Sequence, residues 1–308
     1  MFDLVGVGNP VYDSIITPLS RTDGRVLSGC STNACLAAKK LGLGKVGIIG
    51  CVGPEYEARF RHDMISFGIE VSVDTSNSGT GGFRLVYDER GDRTLDVLGV
   101  AGKITPNSFS EEFLQSRIII IGPILGEVDR ALIEYLRSST SSKLFLDPQG
   151  LIRTIGPDKR IIHKCDPNDF AKIAEQVDFI KPNEYESATI TGETNPIQAL
   201  CRLREMGVMV PIVTLAERGS LLLEGEKLHR IPAYATKAVD PTGAGDVYAG
   251  SFITHYERGG SLVEASLYAS AAASIMVEQV GPGFLLTDRA VQERVNTIRD
   301  RLITEGFP

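Results

Sequence analysis

An α/β fold, with a parallel sheet covered by helices on both faces and a small β-sheet lid, is what this sequence predicts. Three observations support it. From Phe113 onward apolar strands alternate with helices, and a strand such as Ile118–Ile121 is apolar at every position, as a sheet buried on both sides requires. Two strand-rich pieces, near residues 12–27 and 81–98, interrupt the alternation and pair into a separate small sheet. No repeat, low-complexity tract or linker divides the 308 residues, so the lid is read as an insertion into one domain spanning 1–308.

The elements follow in order. Leu4–Gly8 is an apolar run ending at Gly-Asn-Pro, a buried first strand. Tyr12–Thr17 and Arg25–Leu27 are lid strands split by the turn Arg21–Gly24. A helix opens at Ser28-Gly29-Cys30-Ser31-Thr32-Asn33 and runs to Leu41, with Gly42 closing it. Val46–Gly50 reads as a strand and Glu55–Phe67 as an amphipathic helix. Gly81–Asp88 and Arg93–Leu98 form a hairpin around Glu89-Arg90-Gly91-Asp92.

Beyond Phe113 the pattern predicts strands at Ile118–Ile121, Leu144–Asp147, Val177–Lys181 and Val210–Leu215. It places helices at Val128–Arg137 and Pro196–Met206, and a hairpin over Ser220–Ile231. Three helices close the chain near Gly243–Arg258, Ser261–Val280 and Thr287–Leu302. The middle one is rich in alanine and serine, suited to packing beside a sheet or a flat ligand.

Charge and composition exclude several function classes. The net charge of −7 offers no basic stripe for nucleic acid. No segment approaches the roughly 18 uninterrupted apolar residues of a membrane span, and the amino terminus lacks a charged leader. The five cysteines include no Cys-x-x-Cys pair and read as buried free thiols of a cytoplasmic protein. Gly6-x-Gly8 fails as a dinucleotide fingerprint, because Val11 stands where the third glycine belongs and Pro10 blocks the helix. Gly42-Leu43-Gly44-Lys45-Val46 fails as a Walker loop.

The stretch Asp240-Pro241-Thr242-Gly243-Ala244-Gly245-Asp246 carries the strongest signal. Thr242 is a natural N-cap, which would leave the amides of Gly243, Ala244 and Gly245 as bare donors at the positive end of a helix, an anion site. Asp246 lies one step further in, able to act on a hydroxyl brought to that anion. Gly243, Gly245 and Gly250 each cost roughly 1 kcal/mol inside a helix relative to alanine, so close approach by a ligand or another backbone is their expected reason.

This stretch resembles the C-terminal signature of the ribokinase-like (PfkB) carbohydrate kinases, a family that includes nucleoside and polyol kinases. The resemblance spans nearly the whole chain, to about Gly283, and implies a three-layer ribokinase-like fold with a β lid. It implies ATP and Mg²⁺, with Asp246 as general base and Gly243, Ala244 and Gly245 stabilising the transferring phosphoryl group.

Other segments match in order. Asn183-x-x-Glu186 reads by itself as a capping box, and resembles the family segment that places Mg²⁺ and phosphates, Glu186 acting through water. Thr214-Leu215-Ala216-Glu217-Arg218-Gly219 resembles a segment lining the nucleotide phosphates, with Ala216 where glycine is usual; Arg218 is a candidate phosphate partner or a solvated charge. Asp13, Gly29 and Asn33 resemble the substrate aspartate and the Gly-Gly-x-x-x-Asn segment, with Ser28 replacing the first glycine; turn chemistry for Asp13 and capping for Asn33 are the alternatives. Asp240 and Thr242 match positions that in many members bind a monovalent cation, which would make K⁺ an activator. Leu146-Asp147-Pro148-Gln149-Gly150 matches at lower specificity, and Asp147 receives no role.

The resulting expectation is a cytoplasmic kinase that phosphorylates a sugar or polyol, with a nucleoside kinase as the alternative. A homodimer through the lid follows from its open strand edges. A nicotinamide oxidoreductase and a non-catalytic binding protein on the kinase scaffold are the rivals from other classes.

Overall fold

Ten strands form one sheet in the computed structural model, which describes residues 1–88 and 93–306. From one edge the order is Glu70–Thr75, Val46–Val52, Phe2–Val7, Ser116–Ile121, Lys143–Leu146, Phe179–Ile180 and Val210–Thr214, every neighbouring pair parallel. Ser220–Glu224, Lys227–Ile231 and Ile303–Gly306 continue it in antiparallel fashion.

Alternation along the central strands builds two cores. Ile118 and Ile120 enter one, beneath the helices Cys30–Lys40, Ala244–Glu257 and Leu262–Met276. Ile119 and Ile121 enter the other, with Leu132, Ile133 and Leu136 of helix Arg130–Ser139 and Leu200 and Leu203 of helix Pro196–Glu205. This is the period-two geometry that a strand apolar at every position demands.

The alanine-rich helix Leu262–Met276 is almost wholly buried, and small side chains let it lie close to its neighbours. Gly250 has the reason expected of it. A Cβ there would stand 2.1 Å from the Ala34 carbonyl oxygen of the adjoining helix, so the close approach is to protein backbone.

The chain leaves Phe2–Val7 first for Val46–Val52 on one side, then resumes at Ser116–Ile121 on the other. Such a switch in strand order opens a crevice beyond the carboxyl ends of the two strands. There the loops pack so tightly that a Cβ on Gly8 would meet the Gly122 oxygen at 2.3 Å.

Over this crevice stands the four-stranded lid, ordered Val26–Ser28, Val11–Ile16, Gly82–Tyr87 and Arg93–Gly99. Its inner side chains Val11, Ile15, Phe83, Leu85 and Tyr87 meet Cys30 and Ile124 of the body. The expected hairpin turn, Glu89–Asp92, lies outside the described residues.

Elements with no counterpart in the sequence reading include strands Glu70–Thr75 and Ile303–Gly306, the hairpin Arg153–Ile155 with Ile161–His163, and helices Glu111–Leu114 and Pro167–Ala174. The first two are edge strands with largely exposed residues, so neither carries the apolar pattern that marks a buried strand.

Candidate active site

The helix Ala244–Glu257 begins at the crevice, but its N-cap is Gly243 and not Thr242. Gly243 adopts φ 81°, a left-handed conformation that glycine enters without steric cost. The Thr242 side chain is thereby turned away from the helix, and its Oγ1 lies 2.9 Å from the Tyr87 hydroxyl of the lid. The Ala244 amide donates to the Pro241 carbonyl at 3.2 Å. That leaves the Gly243 and Gly245 amides without an intrachain partner among the described residues, two bare donors where three were expected. A helix start of this kind still favours an anion.

Asp246 follows in the first turn. Its Oδ2 accepts from Asn33 Nδ2 at 2.9 Å, across 213 residues of sequence. Asn33 is therefore not a cap: the first helix is capped by Gly29, φ 121°, and Asn33 points from its second turn at the acid. Burial, and then the charge of Asp147, push the Asp246 carboxyl above its usual range, against Asn33, Lys181 and Cys30, which favour the ionised form.

Lys181 is a site residue that motif reading missed. Its Nζ lies 2.8 Å from Asp147 Oδ2, both side chains 3% exposed. It also lies 3.2 Å from where a Gly245 Cβ would be, directly beneath the glycine turn. Burial would lower the Lys181 ammonium, but Asp147 and Glu186 outweigh it and hold it above the ordinary lysine range. A permanent cation thus forms the floor of the anion site. The available signal was a lysine ending a buried strand just ahead of the Asn183 box.

Asn183 and Glu186 form the full capping box: Glu186 N–H donates to Asn183 Oδ1 at 2.8 Å, and Asn183 N–H to Glu186 Oε2 at 2.9 Å. Glu186 also lines the cavity, with its carboxyl raised by burial and by Asp147. Thr214 ends strand Val210–Thr214 beside them, and Gly219 turns the chain at φ 91°. Between these, Ala216 takes φ 51°, which explains why glycine suits that position. Arg218 pairs with Glu184, both about half exposed, so the surface reading of Arg218 holds.

The lid side contributes Asp13, whose Oδ1 accepts from the Phe83 amide at 2.7 Å. Burial pushes its carboxyl up to about 6, against the Phe83 amide, the Ser28 hydroxyl and the charges of Arg153 and Arg25. Ser28, the departure from the glycine pattern, lines the same cavity as Asp13 and adds a hydroxyl to it. Two further polar residues arrive from a segment given no role: Gln149, with Nε2 3.5 Å from Asp246 Oδ1, and Arg153, with Nη2 2.5 Å from Gln149 Oε1.

Asp240 is fully buried, and its Oδ1 accepts from the Thr242 amide at 2.9 Å. One cavity of about 1060 Å³ joins both sides, from Asp13 and Arg153 past Asp246 to the small residues Ala233, Ala273 and Ser274. It brings an acid, bare amides and a buried cation to one mouth, the parts needed to activate a hydroxyl beside a bound phosphate.

The model of the pfkB family of carbohydrate kinases matches residues 11–289. The cytidine kinase of Thermococcus kodakarensis is 27% identical over 86% of this chain and 92% of its own. The ribokinase of Lactococcus lactis is 26% identical over 91% and 88%. Among solved structures, a pyrophosphate-dependent kinase in the ribokinase family superposes with a TM-score of 0.81 at 20% identity, covering 94% of this chain and 99% of that one. An E. coli protein assigned as ribokinase II, in complex with ATP and Mg²⁺, gives 0.76 at 19% identity, covering 98% and 100%.

Proposed function

This chain belongs to the pfkB family of carbohydrate kinases, and we propose that it transfers the γ-phosphoryl group of ATP to a hydroxyl of a sugar or polyol, with Asp246 as general base. One observation carries the reading: the Asp246 carboxylate, held by Asn33 at 2.9 Å, shares a helix mouth with the bare amides of Gly243 and Gly245.

In this reading Asp13 and Asn33 orient the acceptor so that one hydroxyl faces Asp246, which takes its proton as the oxygen attacks the γ-phosphorus and the bond to the β–γ bridging oxygen breaks, ADP leaving. The Gly243 and Gly245 amides and the Lys181 ammonium receive the charge of the transferring group. Mg²⁺ bound to the triphosphate supplies charge neutralisation. The free carboxylate capacity of Glu186, an oxygen donor facing the cavity, suits an ion that keeps its waters. Asp240 and Thr242 are carried over as a K⁺ site and the lid edges as a dimer surface. The free thiols, three of them buried, support a cytoplasmic setting.

ATP is favoured over pyrophosphate because the cavity, about 1060 Å³, is lined by the small residues Ala233, Ala235, Ala238 and Ala273 as well as by the helix mouth, leaving room beyond a phosphate. A nucleoside acceptor is the second reading. The apolar lid face of Phe83 and Leu85, opposite Asp13, offers a surface for a ring, and a cytidine kinase is among the relatives.

A coupled ADP-release assay with D-ribose, myo-inositol and cytidine, with and without K⁺, and with pyrophosphate replacing ATP, tests the scheme. At saturating substrates Asp246→Asn should lose about 10²–10⁴-fold in kcat. Retention of most turnover, or no turnover of any acceptor by the wild type, would refute it.

A further inference from the structure

We infer that Gln149 is a positioning residue for the Asp246 carboxylate, and that Arg153 keeps the Gln149 amide the right way round. This rests on Asp246 being the base. A guanidinium only donates, so Arg153 Nη2, 2.5 Å from Gln149 Oε1, requires the oxygen end of the amide to face it. The NH₂ end is then committed to Asp246, where it lies 3.5 Å from Oδ1. Asn33 holds the other oxygen at 2.9 Å. The carboxylate is gripped by an amide on each side, and the longer contact is of the kind that shortens when a substrate excludes water.

Arg153 is itself fixed. Its Nη1 donates to the Ile124 carbonyl at 3.3 Å, its guanidinium carbon lies 5.8 Å from the centre of the Phe83 ring, and the residue is 8% exposed. It opens strand Arg153–Ile155, paired with Ile161–His163, and the turn between them reaches the lid, where the Val97 amide donates to the Lys159 carbonyl at 3.2 Å. The lid thus bears on Arg153 at two points: Phe83 over its guanidinium, and strand Arg93–Gly99 against its hairpin. Lid placement is passed to the base through two side chains, with no contact between the lid and Asp246 required.

The other charged and titratable groups around Asp246 are Asp147, which disfavours its ionised form, and Lys181 and Cys30, which favour it; Glu186 faces Lys181. Gln149 adds to the favouring set, since a donor to a carboxylate stabilises the anion.

The test is kcat against pH at saturating ATP, with the fastest acceptor among D-ribose, myo-inositol and cytidine. Gln149→Leu should lower kcat about tenfold at neutral pH and move the acid limb up by about one unit, because a base that loses a donor is protonated at higher pH. Acceptor KM should change much less. Gln149→Glu should move the limb further. Arg153→Met should reproduce Gln149→Leu, the double variant should be no worse than either, and Arg153→Lys should recover part of the loss.

A raised acceptor KM with an unmoved acid limb would make Gln149 a substrate contact and overturn the inference. So would a lowered melting temperature with an unmoved limb in the folded fraction, or additive losses in the double variant. Asp246→Asn is the separating control: if it keeps its turnover, the base assignment has failed, whatever Gln149 does.

Discussion

The two halves of the cavity are built from different material. On the proposed donor side the groups offered to a phosphate are mostly backbone: the Gly243 and Gly245 amides, presented by a turn with Gly243 in the left-handed region. On the acceptor side, in the same reading, they are side chains from separate segments: Asp13, which accepts from the Phe83 amide, and Asn33, which donates to Asp246, while Gln149 and Arg153 stand behind the base and not against the acceptor. A phosphate is the same in every kinase reaction, and backbone suffices to bind it. The acceptor differs, and side chains can be exchanged without disturbing the fold. Asp246 and Lys181 sit where the halves meet.

Changes at the junction should strike turnover, and those elsewhere the binding of one substrate. Asp246→Asn, with its expected 10²–10⁴-fold loss, is the largest effect and should leave both KM values near wild type. Lys181→Met comes next. It leaves Asp147 buried without its cation, at a cost of about 3–5 kcal/mol, and should raise the KM of ATP as well. Chemical denaturation read beside ATP kinetics would check this, and an unchanged midpoint would remove Lys181 from the junction.

Asp13→Asn should act on the acceptor side alone. The Asp13 carboxyl, at about 6 in the folded chain, lies above the 3.8 of an exposed aspartate. Its contribution to stability is therefore present below pH 4 and lost as pH rises through 6. The asparagine variant should be more stable than wild type at pH 7.5, by up to about 3 kcal/mol, yet bind acceptor poorly with the KM of ATP unchanged. In the wild type, acceptor KM should climb below pH 6, and the variant should lose that dependence. A variant with normal acceptor KM would break the division between halves.

The smallest effect belongs to the donor loop. Ala216→Gly relieves a left-handed alanine at φ 51°, worth about 1 kcal/mol, and should raise the melting temperature while leaving acceptor kinetics alone. Unchanged or lower stability would deny the strain.

The same division explains what the sequence revealed. The alternating strands were legible because each is buried on both faces, and the glycine turn because its parts are adjacent in sequence. The Asn183–Glu186 box was legible for the same reason. Lys181 and Asp147 form their pair across 34 positions, and Gln149 meets Asp246 across 97. No local pattern marks either contact, and only the sheet order brings them together. Thr242 was misread because Ser and Thr are common caps, whereas a left-handed glycine one residue on took that place and freed the hydroxyl to meet Tyr87. The hairpin that carries Arg153 was missed since its strands, three residues each, are too short to show a period.

A crystal structure with Mg²⁺ and a non-hydrolysable ATP analogue tests the central claim most directly. The account predicts the terminal phosphate within hydrogen-bond reach, about 3 Å, of the Gly243 and Gly245 amides, above Lys181 and facing Asp246. A terminal phosphate seated away from that helix mouth, with Asp246 turned from it, would contradict the account.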